Sequence, residues 1–119
     1  MTDTIVALAT PDSQSALGVI RISGTKALEI SEKACGNPSP TPRYVHLTKY
    51  KSAQNETLDH IIMVYYEKGK SFTSENCLEL TCHGNPVLIK EILNDLLKRG
   101  CRLANPGEFT YRAFTLMVR

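Results

Sequence analysis

The chain has 119 residues, of which 42% are hydrophobic and 22% charged, and this fits one compact domain with a buried core. The formal net charge of +2 falls short of the clustered basic surface of a dedicated nucleic-acid-binding domain. The longest apolar runs are strand-sized, well below the ~20 residues of a membrane-spanning helix, and residues 1–4 lack the basic start of a secretory signal. We therefore expect one domain over residues 1–119, cytoplasmic and without a membrane partner.

The first part of the chain predicts two strands and a helix. Residues 4–10 form a short, apolar, β-branched run that indicates a buried strand. Residues 18–23 alternate, so that two isoleucines share one face of a second strand while Arg21 lies in mid-strand on the other face. Between residues 25 and 35 the apolar positions recur at helical spacing, which predicts a short amphipathic helix.

The ends of this helix are marked in the sequence, and a proline-rich stretch and a short strand follow it. Ser23 or Thr25 is available as its N-cap, and Gly36 is placed to end it. The stretch 37–42 contains three prolines and interrupts regular structure. Residues 44–47 then predict an edge strand.

Two further strands are expected in the centre of the chain. Residues 58–67 are apolar almost without interruption, a pattern typical of a central strand covered on both faces. A loop over 68–76 precedes residues 77–82, which alternate and place Glu79 in mid-strand. Glu79 is the second charge, after Arg21, that interrupts an apolar strand.

The last part predicts a strong helix. Asn85 can cap it, Pro86 suits its first position, and Gly100 marks its end. A short strand over 101–104 and the start of another helix over 108–114 complete the pattern. The order β-β-α-β-β-β-α predicts an α+β fold with a mixed or antiparallel sheet and two main helices.

Four cysteines occur, at positions 35, 77, 82 and 101. We expect reduced thiols, because the chain is large enough for a core and shows no secretion signal. Cys82 and His83 are adjacent, but the spacing from Cys77 to Cys82 is wider than in structural zinc sites. Buried packing is the ordinary role of a free cysteine, so no metal site is predicted.

Several catalytic chemistries lack their motifs. No phosphate-binding loop of the form G-x-x-x-x-G-K-[ST] occurs, which argues against nucleotide hydrolysis by this chain. No G-x-S-x-G turn is present, and we expect no acid to be placed to orient the imidazole of His83. His83, just before the helix start at Asn85, is instead a candidate for lining a pocket.

Arg21 and Glu79 are the most informative residues, because a neutral side chain would cost less in either strand. They could face solvent or pair with each other, which on an open face contributes ~0–1 kcal/mol. They could also line a cleft, where a carboxylate accepts paired N–H groups from a planar heterocycle and a guanidinium binds a ligand acid. The pattern alone does not choose between these hypotheses.

Six segments in order resemble the amino-terminal domain of the bacterial tRNA-modification GTPases known as MnmE or TrmE. They are Asp3–Ala7 with Ala9–Pro11, Gly18–Gly24, Ser71–Thr73, Leu78–Leu80, Cys82–Gly84, and Pro106–Thr110 with Arg112–Phe114. The resemblance implies an α+β fold like the folate-binding half-domains of glycine-cleavage T proteins, with two copies pairing as a homodimer. It also implies binding of a tetrahydrofolate derivative such as the 5-formyl form.

The resemblance further implies a context in tRNA modification. In the full-length family, a flavin-dependent MnmG-type partner takes part in forming the carboxymethylaminomethyl group on the wobble uridine of tRNA. GTP, magnesium and potassium belong to a GTPase domain, which we expect to be absent from this chain, so that the chain alone does not hydrolyse GTP.

The resemblance assigns roles to individual positions. Arg21 matches the family's folate-contacting arginine and Glu79 its folate-contacting glutamate, which would hold the amino-pyrimidine edge of the pterin. The family has a further basic contact where this chain has Val118, so Arg119, one residue on, is the candidate for it. Two alternatives stay open: a dimerisation or partner-docking module that has lost ligand binding, and a small tRNA-binding module.

Overall fold

The computed structural model describes residues 3–10 and 16–117, and these form an α+β domain. The elements are β1 (Ile5–Leu8), β2 (Leu17–Ser23), α1 (Ala27–Lys33), β3 (His46–Lys51), β4 (Thr57–Tyr66), β5 (Cys77–His83), α2 (Pro86–Lys98), β6 (Arg102–Leu103) and α3 (Glu108–Met117). The six strands make one sheet in the order β3-β4-β5-β2-β1-β6. All neighbours are antiparallel except β1 and β6, which run parallel. The predicted α+β fold with a mixed sheet is confirmed.

The core lies on one face of this sheet, under α1 and α2. Its centre is formed by alternate residues of the middle strands, among them Ile20, Ile22, Leu78 and Leu80, each at most 1% exposed. The apolar stripe of α2 closes over them, with Leu96 fully buried. Because side chains alternate along a strand, the residues between these core positions point to the opposite face of the sheet, which is therefore where Arg21 and Glu79 must lie.

The predicted N-cap of α1 is wrong. The helix is preceded by Lys26, whose side chain makes no capping hydrogen bond. The Ser23 hydroxyl is engaged elsewhere, with Thr73 Oγ1 at 2.6 Å, and Thr4 Oγ1 accepts the Lys26 N–H at 2.9 Å instead. The chain can pass this close to Thr4 because Gly24, at φ +142°, has no side chain. A Cβ atom at this position would lie only 2.6 Å from Thr4 Cα. The residue just before β1 thus supplies the acceptor that a residue next to the helix was expected to supply.

The prediction that the strand over 58–67 is central and covered on both faces is also wrong. β4 lies second from the edge, next to β3, and only one of its faces is buried, with Ile61, Met63 and Tyr65 at most 7% exposed. On the other face Ile62 is 37% exposed, and its neighbour Leu47 on β3 is 81% exposed. Because the exposed face of β4 is also apolar, the sequence does not alternate between apolar and polar residues, and the exposure of this face could not be predicted from it.

The long helix was predicted well. Asn85 Oδ1 accepts the N–H groups of Val87 at 2.9 Å and Leu88 at 3.4 Å, Pro86 is the first residue, and Arg99 is the C-cap just before Gly100. The short strand and final helix predicted at 101–104 and 108–114 also occur, as β6 and α3.

Replacing Asn85 by alanine is expected to lower the free energy of unfolding by about 1 kcal/mol, because two amides of the first turn lose their acceptor. Urea unfolding followed by circular dichroism measures the change. Asn94→Ala, in the exposed middle of the same helix, is the control and should cost nothing, since alanine has the higher helix propensity. Equal losses for both variants would contradict the capping role.

Candidate functional site

A cavity of about 250 Å³ opens beside the middle strands of the sheet. Its residues come from β2, the end of β4, the β4–β5 loop (residues 67–76), β5 and α3: Arg21, Ile22, Tyr66, Phe72, Thr73, Cys77, Leu78, Glu79 and Phe109. Three of these are aromatic, and Phe72 is 62% exposed although it is large and apolar. The cavity therefore combines apolar walls with one charged pair.

Arg21 and Glu79 form that charged pair. They are directly opposite each other on the antiparallel strands β2 and β5, and Arg21 Nε donates to Glu79 Oε2 at 3.1 Å. The side chains are 53% and 28% exposed, so the ion pair itself adds little to stability. The two hypotheses from the sequence, an ion pair and a pair of cleft-lining residues, are therefore compatible, since Arg21 and Glu79 pair with each other and also line the cavity.

A second, more open cavity of about 390 Å³ lies on the other side of the same arginine. It is bounded by β1 and by the turn and first residues of α3, and Arg21 and Phe109 line both cavities. The two cavities therefore adjoin at Arg21 and Phe109.

A buried polar network supports the cavity and was not predicted from the sequence. Thr73, fully buried, contacts Ser23 Oγ at 2.6 Å and Cys77 Sγ at 3.1 Å, and Ser23 Oγ donates to Glu75 Oε1 at 2.8 Å. Ser23 could have been noticed, because it lies on the same strand face as Arg21. Its partners Thr73 and Glu75 could not have been predicted, since they are about 50 residues away in the chain.

The four cysteines are all free and buried. Burial raises the pKa of Cys35 to about 12 and the pKa values of Cys82 and Cys101 to about 11. These thiols are therefore protonated, and weak nucleophiles, at neutral pH. Within residues 3–10 and 16–117, no three side chains of His, Cys, Asp or Glu are placed to hold a metal ion.

His83 does not line either cavity, and its role in lining a pocket stays a prediction. It lies at the last position of β5, four residues beyond Glu79, with its side chain 68% exposed. Its Nδ1–H donates to Asp59 Oδ1 at 2.8 Å, and its backbone N–H donates to Asp59 Oδ2 at 2.9 Å. An acid does therefore orient the imidazole, contrary to the sequence analysis, which could not anticipate a partner on a neighbouring strand.

Asp59 is expected to make stability depend on acid pH. Burial alone would raise its pKa, but hydrogen bonds from the backbone and side chain of His83 and from the His60 backbone outweigh this and hold the pKa below its usual value. Its stabilising contribution is therefore complete above about pH 4, the pKa in the unfolded chain, and is lost as pH falls through the lower folded pKa.

Asp59→Asn should thus be less stable than the wild type by about 1 kcal/mol at neutral pH, and the difference should shrink as pH falls below about 4. Urea unfolding of both proteins over a pH series measures this. A difference that stays constant into the acid range would contradict the role given to the Asp59 charge.

The candidate contact Arg119 lies outside the described residues, as does Val118. Within the described part of the chain, no helix is both long enough and apolar enough to cross a membrane.

A family model described as "GTP-binding protein TrmE N-terminus" matches residues 4–116, and the chain therefore belongs to this family of amino-terminal domains. It is similar to the tRNA modification GTPase MnmE of a Sulfurovum species, with 43% identity over 114 residues. The corresponding proteins of Opitutus terrae and of a Nitratiruptor species are each 44% identical, over 112 and 111 residues.

These alignments cover 93–96% of this chain but 25% of each relative. The chain thus spans about a quarter of the length of the relatives it matches. It corresponds to the N-terminal region of a tRNA modification GTPase.

Proposed function

We propose that this domain binds a tetrahydrofolate derivative, the 5-formyl form or a close relative, in the cavity beside Arg21 and Glu79. The observation that carries the proposal is the ion pair at a cavity with aromatic walls, formed by the two residues that the family resemblance marks as folate contacts. The same resemblance gives the ligand class.

Glu79 suits the amino-pyrimidine edge of a pterin, which presents adjacent N–H donors. A carboxylate accepts two parallel N–H bonds, one on each oxygen, and does so more strongly than a neutral acceptor. Among the described residues, Arg21 donates to Oε2 and nothing donates to Oε1 of Glu79. Oε1 can therefore accept from a ligand directly, and Oε2 can do so fully once the Arg21 guanidinium moves away.

Arg21 suits a ligand oxygen. Its Nε is engaged by Glu79, while its two Nη groups make no hydrogen bond with the described part of the protein. Because the side chain is half exposed and borders both cavities, these four N–H donors can meet a carbonyl or carboxylate of a ligand that extends from one cavity towards the other.

The aromatic walls suit a planar ring system. Tyr66, Phe72 and Phe109 surround a volume of about 250 Å³, somewhat below that of a site for a whole drug-sized ligand. A pteridine with its formyl group is a ligand part of this size, and the remainder of the molecule would extend over Arg21 into the second cavity. Covering the exposed ring of Phe72 would add apolar burial to binding.

Isothermal titration with 5-formyltetrahydrofolate tests the proposal. Saturable heat with a micromolar dissociation constant is expected. p-Aminobenzoylglutamate, which lacks the pteridine, is the matched control and should bind much more weakly. Absence of heat at high micromolar 5-formyltetrahydrofolate would contradict the proposal.

We further propose that the domain acts as a homodimer in the cytoplasm, within a protein that acts with a flavin-dependent MnmG-type partner on the wobble uridine of tRNA. GTP hydrolysis, with its magnesium and potassium, belongs to the part of the relatives that this chain does not cover. Support for self-association comes from apolar side chains at the β3 edge, where Tyr44, Val45 and Leu47 are 65–81% exposed.

That exposed edge also favours a second candidate, a dimerisation or partner-docking module without a ligand. Sedimentation analysis combined with the folate titration separates the two candidates. A dimer that gives no heat with any reduced folate would favour the docking module, and a dimer that binds 5-formyltetrahydrofolate would favour the first proposal.

A further inference from the structure

Helix α3 is attached to the rest of the domain through a buried arginine. The side chain of Arg112 is 2% exposed. Its Nη1 donates to the backbone oxygen of Asp3 at 2.9 Å and to Glu75 Oε1 at 3.0 Å, and its Nη2 donates to Asp3 Oδ1 at 2.6 Å. One guanidinium therefore holds together α3, the chain just before β1 and the β4–β5 loop.

The contact with Glu75 reaches the cavity. Glu75 Oε1 also accepts the Ser23 hydroxyl, which contacts Thr73 Oγ1, and Thr73 lines the cavity next to Phe72. The polar chain from Arg112 through Glu75 and Ser23 thus ends at the loop wall of the site. Each contact in it is 3.0 Å or shorter.

The other wall of the cavity is on the helix itself. Phe109 lies three residues before Arg112 on α3, and residues at this spacing share a helix face. The contacts that hold the Arg112 side chain in place therefore also restrain the position of Phe109. From these contacts we propose that Arg112 is a positioning residue for the ligand site, which sets the distance between the Phe109 wall and the Phe72 wall without touching the ligand. The inference rests on the proposed ligand binding in this cavity.

The charges around Arg112 explain why loss of its own charge should affect mainly the β4–β5 loop. Three carboxylates meet Arg112, those of Asp3, Glu75 and Glu108, and the nearby Arg102 bonds two of them, Asp3 at 2.7 Å and Glu108 at 2.6 Å. If Arg112 loses its charge, Asp3 and Glu108 keep Arg102 as a partner. Glu75, with 13% of its side chain exposed, is left as a partly buried carboxylate without a cation.

The experiment compares Arg112→Gln with Arg102→Gln, a control that removes a cation from the same cluster but not from the loop. Dissociation constants for 5-formyltetrahydrofolate are measured by titration at a temperature where circular dichroism shows every variant folded. Hydrogen exchange of residues 67–76 is measured on the ligand-free proteins. Arg112→Lys tests rescue by a conserved charge, and Glu75→Gln is a milder variant that weakens the same link if Arg112→Gln does not fold.

We expect Arg112→Gln to weaken binding by about tenfold and to speed exchange in residues 67–76, because the partly buried Glu75 carboxylate loses its cation. Arg112→Lys should recover part of the affinity, Glu75→Gln should weaken it in the same direction, and Arg102→Gln should leave it within about twofold of the wild type. Wild-type affinity and exchange in both Arg112→Gln and Glu75→Gln would overturn the inference. If the wild type itself binds no folate, the proposed function fails, and the exchange data alone decide whether Arg112 positions the loop.

Discussion

Replacing Glu79 by alanine is expected to weaken binding of 5-formyltetrahydrofolate by about 100-fold, which is about 3 kcal/mol. The carboxylate is the anionic acceptor of the cavity that lies opposite Arg21, and its loss would leave the N–H donors of a bound pterin edge unpaired. Glu79→Gln should lie between the alanine variant and the wild type, since an amide keeps one acceptor but places an N–H where a second acceptor is needed. Isothermal titration measures all three proteins.

The Glu79 variant should remain folded, which makes the comparison clean. The ion pair with Arg21 is largely open to solvent, so its loss should cost no more than about 1 kcal/mol of stability. Glu67→Ala is the matched control, because Glu67 carries the same charge at the start of the β4–β5 loop but pairs with Lys70 away from the cavity. Equal affinities of Glu79→Ala and the wild type would show that the ligand binds elsewhere.

Asp95→Ala is expected to lower the free energy of unfolding by about 3 kcal/mol, because it breaks a buried ion pair and leaves its partners unsatisfied. Asp95, 5% exposed, accepts the Tyr50 hydroxyl at 2.6 Å, the Arg99 Nε–H at 2.8 Å and the Ala53 N–H at 2.9 Å. Burial would raise the pKa of Asp95, but these hydrogen bonds outweigh it and lower the pKa.

Tyr50→Phe is the partial control for this variant. It removes the single hydroxyl and leaves the aspartate with its arginine, so a loss of about 1 kcal/mol is expected. Urea unfolding at neutral pH measures both variants. If Asp95→Ala cost less than Tyr50→Phe, the role of Asp95 as the shared acceptor of Tyr50, Ala53 and Arg99 would be contradicted.

The parts of the fold that the sequence predicts are those set by local pattern. The alternation in β2 and β5 places Arg21 and Glu79 on the sheet face away from the core, and the structure then pairs them because the two strands are neighbours in register. The start of α2 at Asn85 and Pro86 follows from capping chemistry within three residues. In both cases the information lies within one element.

The parts that the sequence did not predict depend on contacts between distant residues. The acceptor at the start of α1 is Thr4, the acid beside His83 is Asp59, and Arg112 binds Asp3 from the far end of the chain. No periodicity encodes such partners, because strand order and helix placement bring them together only after folding. The same holds for the exposed apolar face of β4, which in sequence looks like a buried strand.

A crystal structure of the domain with 5-formyltetrahydrofolate tests the central claim most directly. We expect the pteridine between the aromatic walls of the cavity, with its amino-pyrimidine N–H groups donating to the Glu79 carboxylate and a ligand oxygen accepting from Arg21. A fully occupied folate bound at another surface, with Arg21 and Glu79 still paired and the cavity empty, would contradict the account.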